Sequence, residues 1–175
     1  ELIANETAAA REGKSARIIA KLNALVDPGL IAALYEASQA GVQVDLLVRG
    51  ICCLRPGVPG LSENIRVVSI VGRYLEHSRI FYFQNAPPDK RVYLGSADMM
   101  RRNLYNRVEV VFPILDQRIQ QQALRILATG LHDNLDGWEL DSNGEYHRLQ
   151  PAPGEVGLRS QSVFMEDSFG LHELP

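Results

Sequence analysis

Residues 16–48 read ARIIAKLNALVDPGLIAALYEASQAGVQVDLLV, and their order decides the fold. ARIIAKL (16–22) is an isoleucine-rich run of strand length. Asp27-Pro28 is a helix start, with Asp27 as N-cap and Pro28 at the first helical position. The helix that follows places Leu30, Ile31, Leu34 and Ala37 on one face. Gly41 stands where a left-handed cap ends such a helix. VQVDLLV (42–48) is a second strand, apolar enough at its end to be buried on both faces. Strand, helix and strand in this order predict a parallel pair joined by a right-handed crossover.

The same reading extends outward. Residues 2–12 form a short helix before the first strand. RGICCLRPGVPGLSENI (49–65) is loop-like, with Pro56, Gly57, Pro59 and Gly60 in quick succession. IRVVSIV (65–71) is a strand, and RIFYFQ (79–84) and RVYLGS (91–96) form a hairpin across NAPPDK. RVEVVFPI (107–114) is a further strand. Residues 116–135 form the longest helix, capped by Asp116, with Ile119, Ala123, Ile126 and Leu127 inward. WELDSNGEYHRL (138–149) carries Asn143-Gly144 between two strand-like runs, a hairpin signal. The fold class is therefore α/β, a mixed sheet of about six strands flanked by helices. Residues 1–149 are read as one domain and residues 150–175, which show no period, as a C-terminal tail.

Apolar residues make up 46% of the 175, enough for a buried core. No apolar run reaches the roughly 18 residues of a membrane span. The N-terminal stretch lacks the basic-then-apolar order of a signal peptide, and with no initial Met it suggests a piece of a longer protein. Two adjacent cysteines, Cys52 and Cys53, argue against a disulfide framework or a zinc site and for a reducing, cytoplasmic setting. They are expected to be buried or to pack in the loop.

The net charge of −3 is unevenly placed. Residues 49–107 hold ten Lys/Arg, nine of them arginine, against four Asp/Glu. Arginine's planar fork fits phosphate oxygens in pairs. The middle of a mildly acidic chain thus reads as an anion site, with a solvated surface of scattered charge as the alternative.

Within that region, RYLEHSRIFYFQN (73–85) puts His77 and Arg79 two apart at the mouth of a strand. GSAD (95–98) ends the partner strand, so the hairpin brings Gly95, Ser96 and Asp98 near them. Gly95 permits close approach of backbone or ligand. Asp98 can orient an imidazole. Arg49 ends the strand 42–48, where ligands collect in open α/β sheets. A histidine–arginine cluster suits phosphoryl transfer, in which fixed cations stabilise charge on the transferring oxygens.

Lys21 and Asn23 either face the same crevice or form a solvated strand end. Arg102, Asn103 and Arg107 either contact phosphate or leave Arg107 paired with Glu109. Tyr74, Phe81 and Tyr82 read as packing residues. His132, His147 and His172 read as structural or exposed. No GxxxxGK[ST] phosphate loop is present.

At these residues the chain resembles a known family. The blocks from KLNALVDPGL to SRIFYF (21–83), then VYLGSADMMRRNLYNRVEVVFPI (92–114), are similar to the last domain of bacterial polyphosphate kinase, the long-chain synthesising family. The likeness runs from about residue 2 to 149. The resemblance implies a phospholipase D-like lobe, in which two similar lobes each contribute a histidine to one shared site. It implies reversible transfer of the terminal phosphate of ATP to polyphosphate, with Mg²⁺ in the full enzyme and ATP/ADP as substrate. The phosphohistidine nucleophile belongs to the preceding lobe.

On the matching motifs, LEHSR places the second essential histidine at His77, for acid–base or electrostatic help and contact with the ATP phosphates. LLVRGICCL places the nucleotide-phosphate arginine at Arg49. Arg79 is a further candidate phosphate contact, and no metal ligand is assigned. The implied partners are ATP/ADP, polyphosphate and the preceding lobes, in a homo-oligomer at full length; membrane association is left open.

Against a phospholipase D motif, His-x-Lys-x4-Asp then Gly-Ser-x-Asn, the chain departs at Arg79, Gln84 and Asp98. The departures suit a lobe that grips phosphate for a partner's nucleophile. Two other readings stay open: a phosphodiesterase assembled from two copies, and a non-catalytic polyanion-binding module. Nucleic acid is not expected as the polyanion, given the negative net charge and the lack of a basic–aromatic pattern.

Overall fold

The central strands form because their residues are apolar on both faces. β1 (Arg17–Leu22) and β2 (Gln43–Val48) pair in parallel, as the opening stretch predicts, and β3 (Ile65–Ile70) extends the parallel set. β4 (Ile80–Phe83) runs antiparallel on the other side of β1, and β5 (Val92–Gly95) forms the expected hairpin with it. The computed structural model describes residues 1–170; His172 lies outside them.

The sheet has eight strands rather than about six, in the order β6-β5-β4-β1-β2-β3-β7-β8. The added pair is the Asn143-Gly144 hairpin, β7 (Gly137–Leu140) with β8 (Tyr146–Arg148), which joins the sheet through β3. Gly144 takes φ +90° at its turn. β6 (Val111–Pro113) is shorter than the run 107–114 suggests. Glu109 turns inward to Ser96 and Asn103, and the Ser96 hydroxyl takes the Val110 N–H, so the ladder begins only beyond it.

Alternation along the strands builds two apolar layers. Ile18, Ala20, Leu22, Val44, Leu46, Val48, Val67, Phe81 and Phe83 face α1 (Leu2–Arg11) and α2 (Pro28–Gln39). Ile19, Leu47, Val68 and Ile80 face α4 (Gln117–Leu131). Both long helices start at the predicted caps. Asp27 accepts from the Leu30 N–H at 2.9 Å, and Asp116 from those of Arg118 and Ile119 at 2.8 and 3.3 Å.

In α2, Leu34 and Ala37 are fully buried. In α4 the expected Ala123 and Leu127 are buried and Ile126 packs against them, but at the first turn Gln120 takes the inward place and Ile119 is exposed. Gln120 holds the inward position because its amide donates to the Ile114 carbonyl at 2.7 Å.

The stretch after Gln150 is not a patternless tail. It carries α5 (Ser160–Gly170), whose first residues, Ser160 and Gln161, are buried. The partners that hold it lie far back in the chain, which is why no local period announces it.

Gly95 lies at the end of β5, where a Cβ would sit 2.8 Å from the Val110 carbonyl oxygen and from Val111 Cγ2. It serves the approach of β6. Gly95→Ala is therefore expected to destabilise the chain by about 1–3 kcal/mol, the usual cost of overpacking, read as a lower urea midpoint with an unchanged slope.

Candidate functional site

The parallel strands end at Leu22, Val48 and Ile70, and the antiparallel neighbour begins there, since Lys21 pairs with Ile80. β5 ends at the same rim, with Leu94 opposite Ile80. The loops after β1, β2 and β5 are laced together by backbone bonds, Leu25 N–H to Ile51 O at 2.9 Å and Met99 N–H to Ala24 O at 3.1 Å among them. Polar residues carried on these loops therefore meet at one edge of the sheet.

Asp98 is the hub of that edge. It is buried, 5% exposed. Its Oδ1 accepts from the Asn23 N–H at 2.7 Å and from Arg79 Nε at 3.3 Å. Its Oδ2 accepts from Arg79 Nη2 at 2.9 Å and from Asn23 Nδ2 at 3.4 Å. Asn23 Oδ1 in turn accepts from Arg49 Nε at 3.0 Å. Arg49, Asn23, Asp98 and Arg79 thus form one hydrogen-bonded chain across four loops, Arg79 being carried by the stretch 71–79 that enters β4. Burial pushes the Asp98 carboxyl up, but the hydrogen bonds from Arg79 and Asn23 outweigh it and hold the group below its usual range.

Arg79 also donates through Nη1 to the His77 carbonyl at 2.9 Å. His77 is exposed, and its ring has no hydrogen-bond partner among the described residues. Arg49 is half-buried and bonded through Nε, and its two terminal nitrogens are unpaired among the described residues. Lys21, Arg49 and Glu76 line one depression with Leu47 and Ile70. Lys21 is buried there, its Nζ 2.7 Å from Glu76 Oε2.

Two expectations need correction. Asp98 does not orient an imidazole, because both its oxygens are taken by Arg79 and Asn23. Ser96 does not join the patch at His77, because its hydroxyl donates to Glu109 Oε2, which also receives the neighbouring Asn103 amide at Oε1. The Ser96 and Asn103 hydrogen bonds hold the Glu109 carboxyl below its usual range. Asn103 is buried, while Arg102 and Arg107 are exposed, and no Arg107–Glu109 ion pair forms among the described residues.

Tyr74 is exposed beneath the Arg73 guanidinium, which lies 5.3 Å from the ring centroid, while Phe81 is core. His132 bonds the Ala128 carbonyl and His147 pairs with Asp141. Cys52 and Cys53 are unbridged, and Cys53 is exposed. Burial pushes the Cys52 thiol up to about 11, so it is a poor nucleophile.

Glu76 and Gln161 belong to this edge and were not singled out in the sequence. Glu76 could have been flagged as the neighbour of His77. Gln161 gives no local signal, since its partners are Tyr74 and Glu76.

The three carboxylates near the crevice are all engaged: Asp98 by Arg79 and Asn23, Glu76 by Lys21 and Gln161, Glu109 by Ser96 and Asn103. The residues here do not fit a protein-held Mg²⁺, which needs free carboxylate oxygens in addition to substrate phosphates.

The mixed α/β sheet flanked by helices is a lobe of the phospholipase D type of fold. The fold matches the phospholipase D family member Nuc from Salmonella typhimurium (TM-score 0.50, 15% identity, 78% of this chain and 89% of that one). It matches NucT from Helicobacter pylori with TM-score 0.53 at 15% identity, over 74% of this chain and 84% of that one.

Within that class the family is specific. The model of polyphosphate kinase C-terminal domain 2 matches residues 1–161, and the chain belongs to this family. It is 56% identical over 165 residues to a polyphosphate kinase of Thermosynechococcus vestitus, covering 94% of this chain and 22% of the relative. It is 51% identical to one of Pseudomonas aeruginosa, covering 95% and 24%. The crystal structure of polyphosphate kinase from Porphyromonas gingivalis superposes with TM-score 0.91 at 41% identity, over 98% of this chain and 26% of that one. The chain thus spans about a quarter of the length of these relatives.

Asp98→Asn removes the charge that holds Arg79 and is expected to cost about 1–3 kcal/mol at neutral pH. Because the folded carboxyl titrates below its unfolded value, its contribution is present above about pH 4 and is lost as pH falls through the lowered folded value. The stability gap between the parent and Asp98→Asn, measured by urea melts, should therefore narrow below pH 4.

Proposed function

We propose that this chain is the C-terminal catalytic lobe of a polyphosphate kinase that moves the terminal phosphate of ATP onto polyphosphate, reversibly. The observation that carries this reading is the fixed chain Arg49–Asn23–Asp98–Arg79 beside the exposed His77. Arg49 offers its two terminal nitrogens to the ATP phosphates. His77 stands where it can contact those phosphates and give or take a proton. Arg79 holds the His77 backbone and fixes positive charge behind it, and its remaining N–H groups are open to a phosphate. Cations held before substrate arrives stabilise transferring oxygens at little reorganisation cost.

The phosphohistidine nucleophile, in this proposal, comes from a preceding lobe of the full-length polypeptide. A run of exposed apolar residues beside the site supports a further domain packing there: Tyr105, Val108, Val110, Val111, Phe112 and Leu115 lie on or near the edge strand β6. Mg²⁺ then enters with the nucleotide, since the protein's carboxylates are engaged. We assign the full enzyme to the cytoplasm as a homo-oligomer; no helix among the described residues is long and apolar enough to cross a membrane.

Calorimetric titration of the chain with polyphosphate, beside Arg49→Ala and His77→Ala, tests the site. Arg49→Ala should lose about 1–3 kcal/mol of binding, the cost of a lost charged hydrogen-bond partner; parent-like binding by Arg49→Ala removes it from the site. The 175-residue chain alone should make no polyphosphate from ATP. Robust synthesis by it would sink the shared-site reading. Hydrolysis of a generic phosphodiester, abolished by His77→Ala, would instead favour a phosphodiesterase built from two copies.

A further inference from the structure

We propose that Gln161 is a positioning residue of this site: it braces the loop 71–79 that carries His77. The inference rests on the reading of His77 as a working residue.

The loop has no regular secondary structure, and most of its side chains are exposed. Such a segment does not hold a side chain to catalytic tolerance by packing. Gln161 supplies what packing does not. Its side chain is buried, 8% exposed. Oε1 accepts from the Tyr74 N–H at 2.8 Å. Nε2 donates to the Tyr74 carbonyl at 2.8 Å and to Glu76 Oε1 at 2.8 Å. The amide therefore pairs with Tyr74 as a neighbouring strand would, and its second N–H fixes the carboxylate next to His77. Both donors of the amide are used.

The other oxygen of Glu76 receives the buried Lys21 ammonium from the end of β1. The loop is thus held between the sheet and α5. Gly72 completes the fit, since a Cβ there would lie 2.5 Å from Gln161 Oε1.

The brace is itself anchored. Asp133, just after α4, accepts at Oδ2 from the Ser160 N–H and hydroxyl at 2.8 and 2.7 Å. Asn134 accepts at Oδ1 from the Leu158 N–H at 2.7 Å and donates through Nδ2 to the Val156 carbonyl at 3.2 Å. The end of α4 thus fixes the start of α5, and Gln161 carries that fixity to the loop. Neither asparagine, one methylene shorter, nor glutamate, which lacks the two donors, can make the same three bonds.

The test uses the full-length polypeptide carrying this domain. Amide hydrogen exchange is measured for Gln161→Ala and for Gly72→Ala, which disturbs the same contact from the other side. Exchange in residues 72–78 should rise at least about tenfold, with β1 to β3 unchanged. Polyphosphate synthesis is then compared in Gln161→Ala, His77→Ala and the double variant. A brace acting through His77 predicts a lower kcat for Gln161→Ala and no further loss when it is added to His77→Ala.

Unchanged exchange in 72–78 in both variants overturns the proposal, whatever the activity. Faster exchange there with full activity, while His77→Ala is inactive, overturns the positioning role. Multiplied losses in the double variant, with exchange rising across the sheet, show a general stability effect and overturn it too. If the parent makes no polyphosphate, the functional reading falls, and the exchange result alone decides whether the brace exists.

Discussion

The Asp98 carboxylate is the interaction on which the functional edge depends. Three loops leave the sheet there, and backbone bonding alone does not set the side chains they carry. Asp98, on one of them, does so by taking four donors, two from Asn23 on another and two from Arg79 on the loop 71–79 that enters β4. Through Asn23 the constraint reaches Arg49 on the third. A carboxylate removed from water is costly unless its lone pairs are filled. Here they are filled by the groups that need to be placed, so the cost of burial and the order of the site have the same origin.

The same device recurs around the edge with different partners. Glu76 holds Lys21 and Gln161, and Glu109 holds Ser96 and Asn103. Each acid fixes donors from separate elements, and the two cations held in this way, Lys21 and Arg79, are each neutralised by their own carboxylate. Arg49, His77 and Arg79 keep free valences among the described residues, the terminal nitrogens of the first, the ring of the second and one N–H on each terminal nitrogen of the third. Some charges are thus spent on rigidity while others stay free.

How much of this was legible in the sequence follows from the range of each interaction. The parallel unit in residues 16–48, its Asp27-Pro28 start and the β4–β5 hairpin are local patterns, and each is observed. The gathering of Arg49, His77, Arg79 and Asp98 at one edge followed from strand ends in an α/β sheet. The aim of each side chain did not. Whether Asp98 faces an imidazole or a guanidinium depends on where Asn23 lies, 75 positions away. The α4 stripe departs from expectation only at its first turn, where a polar glutamine, bonded to the Ile114 carbonyl, takes the core position that Ile119 would fill by hydropathy alone. α5 was hidden because what orders it is a set of side-chain bonds to Asp133, Asn134 and Tyr74, not an apolar period.

The departures from the phospholipase D motif are not three independent changes. A lysine at 79 would present one nitrogen and an asparagine at 98 one carbonyl oxygen, a single contact between an ammonium and an uncharged acceptor. Arginine and aspartate at these positions make a forked pair, with Nε and Nη2 each meeting one carboxylate oxygen. Aspartate without arginine would leave a buried charge underpaired, and arginine without aspartate would lose its orientation. Arg79 and Asp98 are therefore one unit, and their pairing fixes the loop that carries Arg79. Gln84 stands apart: it bonds Ser15 at the opposite edge of the sheet and takes no part in the pairing. Arg79 thus divides its guanidinium, three N–H groups going to Asp98 and the His77 carbonyl and two left open, whereas Arg49 keeps both terminal nitrogens free among the described residues.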